Sequence, residues 1–194
     1  MNVAVYGGSF NPLHIGHLAI IRHLVEVAGF DAVYLIVSPK NPLKEISCDS
    51  ARDRYNAAVE AVNRHFADKA DQEVCRATKV RVDDIELNMP APHYSIRTLN
   101  ALKEREPENS FTLVMGADNL AIIRKWKDYQ KILLDFGIAV FPREGEDPAN
   151  IRQDLLNEDP AYNITLLDAP MVTVSSTGIR ESLAQGEDVS HLLM

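Results

Sequence analysis

Short apolar runs, rich in β-branched residues, alternate along this chain with longer stretches in which apolar residues recur every three or four positions. The first pattern predicts buried strands and the second amphipathic helices. A compact apolar run at 3–6 predicts the first strand, which ends at Gly7-Gly8. Residues 14–28 follow as a helix, with Ile15, Leu18, Ala19, Val25 and Ala28 near helical spacing and Gly29 as its cap. Every residue of 32–37 is apolar, which predicts a strand covered on both faces, as in a parallel sheet. The two prolines of Ser38-Pro39-Lys40-Asn41-Pro42-Leu43-Lys44 forbid either regular ladder, so this stretch is a loop. Further helices are predicted over 50–67, 128–135, 148–156 and 176–184, with one more over 95–106 capped by Ser95. Further strands are predicted over 79–87, 111–115, 137–141 and 164–167.

This alternation predicts an α/β fold: a doubly wound parallel sheet, Rossmann-like, with right-handed crossovers. No linker, repeat or composition shift divides the 194 residues, so one domain over 1–194 is expected. In such sheets ligands bind at the carboxyl ends of the strands, so the informative residues should stand just after strands.

Composition narrows the function class. The chain has 28 acidic and 20 basic residues, a formal net charge of −8, which argues against a nucleic-acid binder. Cys48 and Cys75 form no CxxC pair and are too few for a disulfide scaffold. Gly7, Gly8, Asn11 and His14 interrupt any leader-like apolar stretch, and 32–37 is far too short to span a bilayer. A cytoplasmic protein without a membrane partner is expected. Oligomeric state has no signature in the chain.

The segment after the first strand reads Gly7-Gly8-Ser9-Phe10-Asn11-Pro12-Leu13-His14-Ile15-Gly16-His17. It matches neither the GxGxxG fingerprint nor the P-loop. Its glycines let the backbone turn sharply and let a ligand approach. The following helix aims its unpaired N–H groups and positive dipole end at the same space. His14 and His17, three residues apart, share one helical face, with Gly16 leaving the cleft open between them. Two imidazoles beside a helix N-terminus suit phosphate oxygens: each donates a hydrogen bond, and a protonated ring adds Coulomb attraction. Zinc would need a third protein ligand, and neither HExxH nor HxH follows, so no protein-held metal is expected.

A second anchor is Ser175-Ser176-Thr177-Gly178-Ile179-Arg180, at the start of the last long helix. One Ser or Thr suffices as an N-cap. Three hydroxyls and then an arginine, which the helix dipole disfavours there, fit a polyphosphate held by a guanidinium fork.

Together these strings resemble the nucleotidylyltransferase superfamily, with its HxGH motif after the first strand and an SSTxIR-like motif late in the chain. Within it the chain is most similar to the bacterial nicotinate-nucleotide adenylyltransferases of NAD biosynthesis. The likeness runs over nearly the whole chain. It includes the loop 38–44, Pro92-His93-Tyr94-Ser95-Ile96-Arg97-Thr98-Leu99, and Met115-Gly116-Ala117-Asp118-Asn119 with Trp126-Lys127. The resemblance implies that ATP, accompanied by Mg²⁺, and nicotinate mononucleotide give deamido-NAD and pyrophosphate. It places His14 and His17 on the ATP phosphates, with His17 nearest the transferring group. It puts Ser175, Ser176, Thr177 and Arg180 on the β- and γ-phosphates, and Lys44 near the phosphates of both substrates. Gly7, Gly8, Ser9 and Phe10 would run along the adenosine. Tyr94, Ser95 and Trp126 would form the nicotinate pocket, and Asp118 would meet a ribose or its neighbourhood. By residue type alone, Tyr94 and Trp126 read first as core packing.

The chain departs from this pattern in places. Asn11 stands where many relatives carry Asp, and Leu43 precedes Lys44 where many carry His. Gly178 sits in the first helical turn without an evident reason beyond close approach to a ligand. Pantetheine-phosphate adenylyltransferases and cytidylyltransferases share HxGH, but the segments around Tyr94 and from Gly116 to Trp126 set the chain apart from both. A fragment of an aminoacyl-tRNA synthetase would carry a lysine-rich late loop instead. A non-catalytic nucleotide sensor on the same fold is the other class of reading.

Overall fold

β1 (Asn2–Gly8) lies near the middle of a six-stranded sheet of order β3-β2-β1-β4-β5-β6, in which each pairing is parallel. The structure, a computed structural model, describes residues 1–39, 50–66 and 79–194. The other strands are β2 (Ala32–Val37), β3 (Lys79–Asp83), β4 (Ser110–Gly116), β5 (Ile138–Phe141) and β6 (Ile164–Leu166). The main helices are α1 (Ile15–Glu26), α2 (Ala51–Phe66), α3 (Ser95–Arg105), α4 (Pro148–Glu158) and α5 (Ser176–Ala184). The doubly wound parallel sheet expected from the chain is therefore what forms.

Alternation along the strands divides the core into two layers. Val3 and Val5 face one side with Ile96, Leu99, Leu102 and Leu133. Ala4 and Tyr6 face the other with Ile20, Ile21, Leu24 and Val62. All six residues of β2 are buried, as an all-apolar strand between two helical layers must be. Among the described residues no helix is long and apolar enough to cross a membrane.

Several element ends differ from the expectation. α1 begins at Ile15, and His14 is its N-cap with an extended backbone (φ −142°, ψ 169°). Gly29, at φ +72°, turns the chain after the helix, although the C-cap itself is Val27. The strand expected over 79–87 stops at Asp83, because the Asp83 carboxylate takes the Ile85 N–H at 3.0 Å and a 3₁₀ turn (Ile85–Asn88) follows. Ser95 does not cap α3: Tyr94 occupies that position, with no side-chain hydrogen bond to the helix. The helix expected over 128–135 is split into an α turn (Tyr129–Lys131) and a π turn (Ile132–Phe136). Asp128 enters the first at φ +51° and Gly137 leaves the second at φ +75°.

The strand order reverses beside β1. β2 and β3 continue to one side of it, while β4, β5 and β6 continue to the other. The carboxyl ends of β1 and β4, at Gly8 and Gly116, therefore flank a topological switch point, where α/β sheets of this type take their ligands. A separate groove of about 620 Å³, lined by His23, Thr112 and Thr165, begins near the amino ends of β1 and β4.

Candidate active site

The loop leaving β1 is held from both sides. Ser38 N–H donates to Gly8 O at 3.0 Å, tying it to the end of β2. The buried guanidinium of Arg54, on α2, donates to Ser9 O at 2.6 Å, Ser38 O at 2.9 Å and Pro39 O at 3.0 Å. One side chain thus fixes two strand-end loops. Phe10 adopts φ +44°, a costly backbone for a bulky residue. It is held there by its ring, buried edge-on against Tyr6 (5.7 Å between centroids) and His17 (5.2 Å). A side chain on Gly8 would meet the Phe10 ring at 2.9 Å, so glycine is required by packing.

At the start of α1 the two histidines cap the helix together. Gly16 N–H donates to His14 Nδ1 at 3.2 Å, and His14 N–H donates to His17 Nδ1 at 3.2 Å. This is a capping box built from imidazoles in place of a hydroxyl and a carboxylate. Because each Nδ1 accepts, a neutral ring carries its proton on Nε2. The rings lie 3.8 Å apart at 34°. Burial, and then the nearby Arg143 cation, push the His14 pKa down to about 4. His14 is therefore neutral at neutral pH and serves as a hydrogen-bond donor, without the added Coulomb attraction that a protonated ring would bring. Gly16 is needed for the same assembly, since a Cβ there would lie 2.4 Å from Val172 Cγ1 and 3.0 Å from the His14 ring.

α5 docks on this loop. Ser176 Oγ donates to Pro12 O at 3.1 Å, and Arg180 Nη1 donates to Asn11 O at 2.7 Å. Arg180 Nη2 also reaches Thr177 Oγ1 at 3.3 Å. Ser175 is the N-cap and accepts from Gly178 N–H at 3.1 Å. The start of the last long helix thus lies against the loop that leads into the first. Part of the hydroxyl run is spent on joining them. Gly178 also gains a local reason: a Cβ there would press on Ser175 Oγ at 3.3 Å.

Asp118 follows β4 in a short helical turn (Ala117–Ala121), and its Oδ1 lies 3.9 Å from Arg143 Nε. Arg143, just after β5, sits over the Phe141 ring at 5.0 Å and donates from Nη1 to Val172 O at 3.3 Å. Its Nε is buried without a hydrogen-bond acceptor among the described residues. Gly116 leaves room for both, since a Cβ would lie 2.3 Å from Asp118 Oδ1 and 3.1 Å from Arg143. Sequence reading missed Arg54 and Arg143, for neither belongs to a local motif. Arg143's place directly after a strand was the available signal.

Tyr94 is exposed at the uncapped start of α3, followed by Ser95. Trp126 is half-buried and packs against the core layer that contains Ile123 and Leu133. The packing reading of that ring is thus part of its role. Lys44 lies outside the described residues. Among the described residues, no three His, Cys, Asp or Glu side chains cluster closely enough to hold a metal ion.

Known proteins are similar to this chain over nearly its whole length. The cytidylyltransferase-like family matches residues 5–182. A protein of Flavobacterium johnsoniae named probable nicotinate-nucleotide adenylyltransferase is 36% identical over 193 residues, covering 100% of this chain and 92% of that one. A protein of the same name from Bacteroides fragilis is 36% identical, covering 97% of this chain and 85% of that one. Among solved structures, the Plasmodium falciparum nicotinic acid mononucleotide adenylyltransferase complexed with NaAD superposes with a TM-score of 0.73. It covers 97% of this chain and 87% of that one at 17% identity, a likeness of fold. With HxGH at the start of α1, a docked SSTxIR helix and relatives that match nearly its full length, the chain belongs to the cytidylyltransferase-like family, among the nicotinate-nucleotide adenylyltransferases.

Proposed function

We propose that this cleft transfers the adenylyl group of ATP to nicotinate mononucleotide, giving deamido-NAD and pyrophosphate in NAD biosynthesis. One observation carries the chemistry. At the start of α1 the Nδ1 atoms of His14 and His17 accept backbone N–H groups, which leaves donation to their Nε2 edges, and the start of a second helix that brings Ser, Thr and Arg is bonded to the loop just before them. Such a site is built to receive phosphate oxygens.

A phosphate oxygen of the mononucleotide attacks the α-phosphorus of ATP, and the bond from that phosphorus to the β-phosphate oxygen breaks. No enzyme nucleophile takes part, so the residues position the groups and stabilise charge. His17 and His14 donate to oxygens near the transferring phosphorus. Thr177, Arg180 and the first turn of α5 face the leaving pyrophosphate, with Ser175 and Ser176 shaping that turn. Gly7, Gly8, Ser9 and Phe10 border the adenosine. Lys44 approaches the phosphates of both substrates. Mg²⁺ accompanying ATP would be carried on the nucleotide and would supply positive charge at its phosphates.

The second substrate lies toward Tyr94, Ser95, Asp118 and Trp126. The uncapped N–H groups of α3 at Ser95 and Ile96 are suited to a carboxylate, which favours the acid over the amide. Reaction in the cytoplasm, by a chain folded as one domain, completes the reading.

Pyrophosphate release with ATP and Mg²⁺ tests it, using nicotinate mononucleotide, nicotinamide mononucleotide and phosphopantetheine in parallel. The highest kcat/KM is expected for the nicotinate compound. No turnover with any of the three would leave a nucleotide-binding protein without catalysis.

A further inference from the structure

The His14 loop has a third support, which comes from the far end of the chain. His14 forms an isolated antiparallel bridge with Leu193, and Met194 N–H donates to Leu13 O at 3.4 Å. The segment that makes this contact is itself anchored. Val189 is 4% exposed, Asp188 Oδ1 takes the Ser190 N–H at 2.9 Å, and a 3₁₀ turn (Ser190–Leu192) follows. The Met194 side chain packs against the core layer that contains Phe10, Leu13 and Ile20. The Leu193 side chain is exposed, so its contribution comes through the backbone.

The geometry of the cap explains what this contact does. An N-cap residue must leave the helical conformation, and His14 is fully extended. Pairing with another extended backbone holds it in that conformation. The imidazole hangs from the same Cα, at the fixed angle that brings it 3.8 Å from His17. Loss of the clasp would free Leu13 and His14 on the side where neither α5 nor Arg54 touches them. Those two hold Asn11, Pro12 and Ser9 instead.

We propose that residues 189–194 are a positioning element for the phosphate-binding histidines: a backbone clasp on Leu13 and His14 that sets where the His14 ring stands. This rests on the reading of His14 as a phosphate ligand.

The test removes one donor. Met194→Pro deletes the N–H that reaches Leu13, while Met194→Ala keeps it and loses only packing. In Met194→Pro, kcat should fall by about 10- to 100-fold, the scale of misplacing a reacting group by about 1 Å. KM for the mononucleotide should stay within about twofold. The His14 ring resonances should shift as its stacking on His17 changes. Met194→Ala should keep most of the wild-type kcat and leave those resonances in place. In the wild-type protein the Met194 amide should exchange slowly with solvent, a measurement that needs no variant. A freely exchanging Met194 amide, or a folded Met194→Pro protein with wild-type kcat and unmoved His14 resonances, would overturn the clasp. If the wild-type protein turned over no mononucleotide at all, the functional reading would fall, while amide exchange and the His14 resonances would still decide the clasp.

Discussion

The imidazoles of His14 and His17 lie 3.8 Å apart, each accepting a backbone N–H at Nδ1. Two cationic rings could not share that space. Burial accordingly holds His14 neutral, with a pKa near 4 against an ordinary 6.5. An imidazole with a depressed pKa makes acid unfavourable to folding. The unfolded ring binds a proton below about 6.5 and the folded ring only near 4, so the stability this group contributes is full above 6.5 and is lost as pH falls toward 4. NMR titration of the nucleotide-free protein should place the His14 midpoint well below 5. A midpoint near 6.5 would remove the neutral-donor account.

Arg143 is the second cause of that depression. Arg143→Gln should raise the His14 midpoint part of the way toward 6.5, because burial, the larger cause, remains. An unmoved midpoint would show that the guanidinium does not act on the ring.

His17 has two jobs that substitution can separate. His17→Ala should lower kcat by about 10²–10³, the loss of one transition-state donor. It should also cost about 1 kcal/mol of stability, the usual value of a capping interaction. His17→Gln places a natural capping-box partner at the same position. It should restore stability in a denaturant titration while kcat stays low. Recovery of kcat by glutamine would mean that the ring serves the helix alone.

How much of this was legible in the chain depended on how local the cause was. β2 declared itself because six apolar residues in a row have few other places to go. His14 and His17 were legible because three-residue spacing on a helix is a contact. That His14 would stand outside the helix as its cap was not, since Ser, Thr, Asp and Asn are the expected caps. Arg54 was invisible because backbone carbonyls 45, 16 and 15 residues away are among its acceptors, and no side-chain pattern announces them. The end of β3 was hidden by Val82, Ile85 and Leu87, whose apolarity suits a strand as well as a 3₁₀ turn. The contacts of Ser175 and Ser176 were not legible either: one caps α5 by accepting from Gly178 N–H and the other donates to Pro12 O, a partner 164 residues away.

Gly16 offers a test of packing at the site. In Gly16→Ala the new methyl would lie 2.4 Å from Val172 Cγ1 and 3.0 Å from the His14 ring, so both must move. Overpacking of this kind costs about 1–3 kcal/mol, and kcat should fall with it. Adding Val172→Ala relieves the closer contact and should return much of the stability in a thermal melt. It should not return kcat, because the methyl still displaces His14. Full recovery of both by the second substitution would mean that His14 placement is not what limits turnover.

Trp126 poses the remaining question, because its ring packs against the core and is also the aromatic candidate for the nicotinate pocket. The backbone around it is fixed by Trp126 N–H donating to Ile123 O at 2.8 Å, so truncation should leave the turn in place. Removing the ring exposes core and should lower stability. A wall of the pocket must do more than that. Stacking of aromatic rings is worth about 0.5–1.5 kcal/mol, so Trp126→Ala should raise KM for nicotinate mononucleotide by about 3- to 10-fold and leave KM for ATP nearly unchanged. Trp126→Phe keeps a stacking face and should recover most of that affinity. An equal rise in both KM values, scaling with the loss of stability across the two variants, would make the ring a core residue and move the nicotinate toward Tyr94.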